Sequence, residues 1–455
     1  MITITVSNET HLKVPSQISH DTHQALLRIK DRLTFPNPKH LENVKRGFSN
    51  WNVQRELCFL EESEGGFIAP RGFTRQAIEI LKSSDVPYQV NDRRRTFPNV
   101  DFTFRGTLRD YQTEAVDAIL KRDFATLASP AGSGKTTMAL ALVARRKQPA
   151  LIMVHSKELV DQWVERIEQF LGIPGSEVGR IGGGKMVIGE RITVALVQSL
   201  YKCAQEVISH VGHLIVDECH RAPSRTFTEA VTAFDCRYQL GLSATPWRRD
   251  GLSRLIWFYV GDLVHQVDRG ALIENGSILQ AEVITRETSF RTTFNPSEQY
   301  SKMLSELTKD PERNRLIASD VAEESENSAG VCLVLSDRRA HCETLVGLLR
   351  ERGIHSALLV GSMSTGDRKR VVEELNNGEL RVIVATGALV GEGFDCKELS
   401  TLFLACPVKF DGRLLQYLGR ILRPASGKRP KVYDYIDVNV GVLENAARAR
   451  ARVYG

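Results

Sequence analysis

The stretch Pro130–Thr137, PAGSGKTT, constrains what this chain can fold into more than any other. A glycine-rich loop of this form works between a buried strand and a helix, because its amides must converge on phosphate oxygens at the helix start. The flanks supply both: Phe124–Ser129 is a continuous apolar run, and Thr136–Arg146 has helical spacing. Within the loop, Gly132 and Gly134 let the backbone curl and Ser133 sits between them. Lys135 brings a mobile positive charge to the β and γ phosphates, Thr136 offers a hydroxyl to Mg²⁺, and Thr137 continues the first turn. The segment predicts a nucleotide site for ATP with Mg²⁺ on an open α/β sheet.

Beyond the loop, apolar runs at Ala150–Ser156, Ile192–Val197, His213–Glu218 and Tyr238–Thr245 alternate with helical stretches such as Lys157–Leu171. Continuous rather than alternating apolar strands are expected where helices cover both faces of a parallel sheet. A second series begins at Val331 with VCLVLS and runs through Arg338–Arg352, HSALLVG, Asp367–Asn376, LRVIVAT, LSTLFLAC and KVYDYID. The fold class is therefore α/β with two tandem parallel-sheet lobes. The domains read as 1–100, a small N-terminal α+β accessory unit; 101–265, the first lobe; 266–328, a connector; and 329–455, the second lobe and tail. Within the connector Leu279–Thr288 is strand-like, Ser297–Glu326 helical, and Glu323–Gly330 has loop composition suited to a linker.

HLIVDECH places Asp217 and Glu218 at the carboxyl end of a buried strand, where ligands of open α/β sheets bind. Asp217 is the candidate Mg²⁺ ligand and Glu218 the candidate base for an attacking water. The second lobe has no phosphate loop. It offers Gln416, Arg420 and Arg423, whose steps of four and three share one helix face and suit charge developing on a γ-phosphate.

A net charge of +5 allows a polyanionic partner through a local groove and does not demand one. The eight cysteines contain no CxxC pair, which speaks against zinc and against a disulfide framework. No apolar run approaches the roughly 20 residues of a membrane span, and MITITVSNETHLKV lacks signal-peptide features. The expected address is cytoplasm, in association with the nucleoid, and the expected state a monomer with no membrane partner. The four tryptophans show no spacing that makes a stacking platform, and Trp163, on an amphipathic helix, reads as core.

Taken in order, these motifs resemble superfamily 2 helicases and translocases over Gly106–Tyr454. LRDYQ, with Arg109 and Gln112, is similar to the adenine-reading element; Ser129–Thr137 matches motif I, DECH motif II, SAT at Ser243–Thr245 motif III, TGALVGEGFD at Thr386–Asp395 motif V, and QYLGRILR motif VI. The resemblance implies RecA-like lobes, coupling of ATP state to nucleic acid through His220, Ser243, Ala244 and Thr245, and nucleotide contacts from Gly393 and Asp395. LSATPWRRDG resembles the XPB-like branch, in which an Arg-Glu-Asp triplet follows motif III; here the triplet is Arg248-Arg249-Asp250, a base replacing the central acid. The resemblance further implies 3′ to 5′ movement and a DNA-structure-sensing role for residues 1–100.

Family position puts nucleic-acid contacts at Ser156, Lys157, Gln198, Ser199 and Thr386. Ser156 also fits an N-cap, and the two roles are compatible. GGGK at Gly182–Lys185 reads as a turn or hairpin near that path, and Arg93–Arg95 as a solvated loop or a phosphate patch. The expected activity is an ATP-dependent DNA helicase or translocase. An RNA helicase, or an ATP-switched nucleic-acid-binding subunit serving a nuclease or repair partner, remain alternatives, since the core motifs do not separate them.

Overall fold

The computed structural model describes residues 1–454 except 222–224, 249, 297, 329, 362, 388–395, 397, 408–411, 423 and 426–427; the side chains of 225, 365, 368–369, 376, 412–413, 415–416, 420 and 453 also lie outside the description. Two compact units result: Met1–Ser129 with Gly134–Val267, and Pro130–Ser133 with Asp268–Gly455.

Besides the short antiparallel pair Thr34–Pro36 and Glu56–Cys58, the described residues of the first unit form two larger sheets. Five strands form the N-terminal sheet in the order Glu61–Ser63, Gly66–Pro70, Glu9–Lys13, Ile2–Val6, Tyr88–Asp92. The larger sheet has eight strands: Lys185–Val187, Gly179–Gly182, Ile192–Leu196, Ala150–Val154, His213–Val216, Tyr238–Ser243, Phe124–Ala128 and Leu263–Gln266. All neighbours in it pair in parallel except the Gly179–Gly182/Lys185–Val187 hairpin, so GGGK is a hairpin turn. Every residue of Ala150–Val154, Ile192–Leu196 and His213–Val216 is buried, as the continuous apolar runs require. Tyr238–Ser243 separates the strand before the phosphate loop from the strand before DECH. The carboxyl ends of these three strands therefore lie side by side.

Residues 1–100 share a core with the larger sheet's helices. Ile2, Ile4, Leu12, Ile29, Leu33 and Phe73 cluster with Leu255 and Phe258 of the helix Arg254–Tyr259. Arg71, fully buried, donates to the Cys236 carbonyl (3.1 Å) and to the Gln239 amide oxygen. Arg94 pairs with Asp92 and Asp123 (2.7 and 2.9 Å), and Arg95 with Asp235 (3.0 Å). Arg94 and Arg95 are thus taken up by carboxylates in fastening this region to the larger sheet, not laid out as a patch for phosphate.

The second unit carries one parallel sheet in the order Glu282–Glu287, Lys431–Ile436, Leu399–Leu404, Val331–Ser336, Val382–Thr386, Ser356–Leu359. Residues 266–328 do more than connect. Glu282–Glu287 is an edge strand of this sheet, and the helix Pro311–Asn327 packs Ile317, Ala318 and Val321 into its core. Glu323–Asn327 is the end of that helix and not a linker, because Glu324 is buried and accepts from Lys431 Nζ (2.8 Å), Tyr433 Oη (3.1 Å) and Thr401 Oγ1 (3.2 Å). Among the described residues no helix is long and apolar enough to cross a membrane.

Candidate active site

The phosphate loop leaves the strand Phe124–Ala128 and enters the helix Lys135–Arg146. Ser129 N donates to the Ser243 carbonyl (2.9 Å), pinning the loop's start to the strand that ends in SAT. Gly132 and Gly134 both have φ of +85°, a left-handed conformation that strains other residues. Ser133 Oγ donates to the Pro130 carbonyl (2.6 Å), and Lys135 Nζ donates to the Ser129 carbonyl (3.1 Å). Thr136 and Thr137 stand in the helix's first turn. Gln112, in the first turn of Asp110–Leu120, accepts from Arg109 N (3.0 Å) and lies against the loop: a Cβ on Gly134 would come within 2.5 Å of its Nε2. Gln112 therefore lies against the loop, and Arg109 is tied to Gln112 through its backbone N–H.

Asp217 and Glu218 follow the strand His213–Val216. Asp217 Oδ1 accepts from Glu218 N (2.9 Å) and Oδ2 from Trp163 Nε1 (2.9 Å), which fixes the carboxylate's plane. Trp163 is core, 2 % exposed, but its one polar atom is aimed at the candidate metal ligand. Glu218 has φ of +50°, unusual for a residue with a side chain. Burial, and next the Glu218 charge, push the Asp217 carboxyl up. Burial acts the same way on Glu218, yet His220 and Lys135 outweigh it and hold Glu218 well below the usual carboxylate range. Two adjacent buried carboxylates of which one resists ionisation are relieved by a cation.

The donor set fits Mg²⁺ with a nucleotide. Glu218 Oε2 is buried without a hydrogen-bond donor: His220 Nδ1 is 3.2 Å away, but its bond is made to Ser243 Oγ (3.1 Å). Among the described residues no three His, Cys, Asp or Glu side chains gather as metal ligands. Asp217 and Thr136 would hold a cation together with phosphate oxygens and water, which is how Mg²⁺ is usually bound.

His220 joins the carboxylates to the SAT segment. Ser243 Oγ, hydrogen-bonded to His220 Nδ1, accepts from Thr245 N (3.0 Å), so Ser243, Ala244 and Thr245 turn around the contact. Arg248 reaches back: Nη1 donates to the His220 carbonyl (2.7 Å), while Nε bonds Asp250 Oδ1 (3.0 Å). The first and third members of the triplet thus brace the DECH turn; Arg249 lies outside the described residues.

The nucleic-acid candidates of the first unit come together at neighbouring strand ends. Ser156 caps the helix Lys157–Leu171, accepting from Leu159 N (3.4 Å). Gln198 Nε2 donates to the His155 carbonyl (3.3 Å), and Ser199 follows it in the helix Val197–Val207. A Cβ on Gly183 would be 3.6 Å from Lys157 Cε, so the glycine hairpin lies beside Lys157. In the second unit Thr386 ends the strand Val382–Thr386, and Tyr417 Oη donates to the adjacent Gly387 carbonyl (2.5 Å). The helix Gly412–Ile421 buries Leu414, Tyr417, Leu418 and Ile421. The side chains of Gln416 and Arg420, and Arg423, Gly393 and Asp395 altogether, lie outside the described residues.

Residues 105–248 match the type III restriction enzyme res subunit family, and residues 314–425 the helicase conserved C-terminal domain. The chain is 25% identical over 382 residues to the probable helicase D10 of Escherichia phage T5, covering 83% of this chain and 81% of that one. It is 28% identical over 356 residues to the DNA 3'-5' translocase XPB2 of Sulfurisphaera tokodaii, covering 70% and 78%. The structure of S. cerevisiae Dbp5 bound to RNA and ADP BeF3 superposes with a TM-score of 0.56 at 14% identity, over 76% of this chain and 87% of that one, a likeness of fold. With the phosphate loop, the DECH carboxylates and the SAT contact assembled at one edge of a parallel sheet, and both helicase domains matched, the chain belongs to the superfamily 2 helicases and is an ATP-hydrolysing enzyme.

Proposed function

We propose that the protein is an ATP-dependent DNA translocase or helicase that moves 3′ to 5′ on the strand it holds. The observation that carries this reading is the contact chain from Glu218 past His220 to Ser243, which links the residue suited to activating water with the SAT segment. Such a link is suited to coupling the ATP site to a second ligand. The name of XPB2, a DNA 3'-5' translocase, supports both the substrate and the direction.

In this reading Lys135 and the loop amides bind the β and γ phosphates, and Arg109 and Gln112 hold the base. Thr136 and Asp217 would hold Mg²⁺, which would supply positive charge to neutralise phosphate oxygens. Glu218 orients and deprotonates the attacking water. Gln416, Arg420 and Arg423 stabilise charge on the γ-phosphate, and Gly393 and Asp395 contribute on the nucleotide side. Ser156, Lys157, Gln198, Ser199 and Thr386 hold the strand by its backbone, as a sequence-indifferent motor requires. The protein works in the cytoplasm at the nucleoid, as a monomer.

Steady-state ATP hydrolysis tests this with no nucleic acid, single-stranded DNA, duplex DNA and RNA, beside Lys135→Ala. DNA should raise turnover at least about tenfold, and the substitution should abolish it. Stimulation by RNA alone would make the substrate RNA. Indifference to every nucleic acid would overturn the motor.

A further inference from the structure

Residues 37–55 leave the N-terminal region between the short paired strands Thr34–Pro36 and Glu56–Cys58. Their helix, Pro38–Arg46, buries none of its residues. Leu41 and Val44 are three apart and share a face, which in a surface helix normally turns inward. Here Leu41 is 56%, Val44 61%, Phe48 61% and Trp51 90% exposed.

The segment is nonetheless closely specified by local polar contacts. Asn37 caps the helix by accepting from Lys39 N (3.0 Å), with Pro38 in the first turn, and Gly47 ends it in the left-handed region. Beyond it, Asn43 Nδ2 donates to Asn50 Oδ1 (2.9 Å), Asn50 Nδ2 to the His40 carbonyl (3.2 Å), and Trp51 N to Ser49 Oγ (3.3 Å). Capping and side-chain bonds thus hold a shape whose apolar groups stay in water. Isolated exposed apolar residues are ordinary; four within eleven positions on one locally tied element mark an interaction surface.

Charge selects the partner. The segment carries Lys39, Lys45, Arg46 and Arg55 against Glu42 alone. Arg46 is engaged by Glu42 (2.6 Å), whereas Lys39, Lys45 and Arg55 make no ion pair among the described residues. Cations interleaved with aromatic rings match a polyanion that also presents flat apolar faces, which is a nucleic-acid strand with unpaired bases. The root of the segment lies against the end of the triplet loop: a Cβ on Gly251 would be 3.0 Å from Pro38 Cγ, and the Arg254 guanidinium lies 5.7 Å over the Phe35 ring.

We propose that residues 37–55 form a finger that engages DNA where a strand leaves a duplex, Trp51 and Phe48 stacking on the first unpaired bases while Lys39, Lys45 and Arg55 contact the flanking phosphates. The finger rests on the DNA-motor reading above and assigns it a substrate form. Within a duplex, base faces are covered by their neighbours; at a fork they are open to aromatic rings. The contact of Pro38 with Gly251 puts the finger's root next to Arg248 and Asp250, which brace the DECH turn.

The test compares full-length protein with a Trp51→Ala/Phe48→Ala variant, titrated into a forked DNA carrying 2-aminopurine at the first unpaired position and into a blunt duplex of equal length. Melting temperatures of the two proteins show that both are folded. The finger predicts fork affinity reduced about tenfold with blunt-duplex affinity unchanged, and loss of the 2-aminopurine signal change. A Lys45→Glu/Arg55→Glu variant should flatten the salt dependence of fork binding. Fork affinity equal to that of the parent, or an equal loss on both DNAs, overturns the finger. Fork binding that survives while a protein partner is lost reassigns the segment to that partner. If the parent protein binds no DNA, the motor reading itself fails.

Discussion

At Trp163 the amphipathic spacing of Lys157–Leu171 accounts for one of the two things the side chain does. The ring fills the core, and Nε1 holds Asp217 Oδ2 at 2.9 Å. The partners are 54 residues apart, so no local pattern in the sequence announces the bond. Ser156 is the opposite case: an N-cap is decided by the residues that follow within one turn, and it was legible for that reason. Trp51 was illegible for a third reason, since exposure depends on what does not pack against a residue. Trp163→Phe keeps most of the ring and removes the donor. It should raise the Mg²⁺ concentration needed for half-maximal ATP hydrolysis about tenfold, as outer-shell partners of metal ligands typically do. A Mg²⁺ titration with melting curves beside it checks this; an unchanged midpoint would leave Trp163 a packing residue only.

The buried strands of both sheets were readable as elements because parallel strands covered on two faces need uninterrupted apolar runs, and all ten of those runs appear as strands within one or two residues of the spans read. Charged segments misled. Glu323–Gly330 has the composition of a loop, yet its helix is anchored by Glu324, neutralised by Lys431 from a strand far along the chain. The last helix, Gly441–Tyr454, is tied down in the same manner: Arg450 and Asp434 are each 2 % exposed and meet at 2.7 Å, with Tyr454 Oη donating to the same carboxylate (2.8 Å). Arg450→Met strands a buried carboxylate and should cost about 3–5 kcal/mol of the second unit's stability. Pairing it with Asp434→Asn should recover much of that loss. Denaturant unfolding of the two variants separates this expectation from a peripheral role, which would leave both near the parent.

Across the whole molecule, two tandem α/β lobes follow from two series of strands, and the chemistry follows from where the motifs fall on the first: loop, DECH and SAT at adjacent strand ends. The attachment of residues 1–100 was not legible, because it is made by Arg71, Arg94 and Arg95 reaching groups more than a hundred positions away or between loops, together with a core shared through Leu255 and Phe258. Neither composition nor periodicity reports such contacts. The central claim is that hydrolysis drives directed movement on DNA, and displacement of streptavidin from single-stranded DNA biotinylated at one end or the other tests it most directly. With ATP, the account predicts release from the 5′ end well above release from the 3′ end, and none with Lys135→Ala. ATP consumed with no release from either end would contradict it.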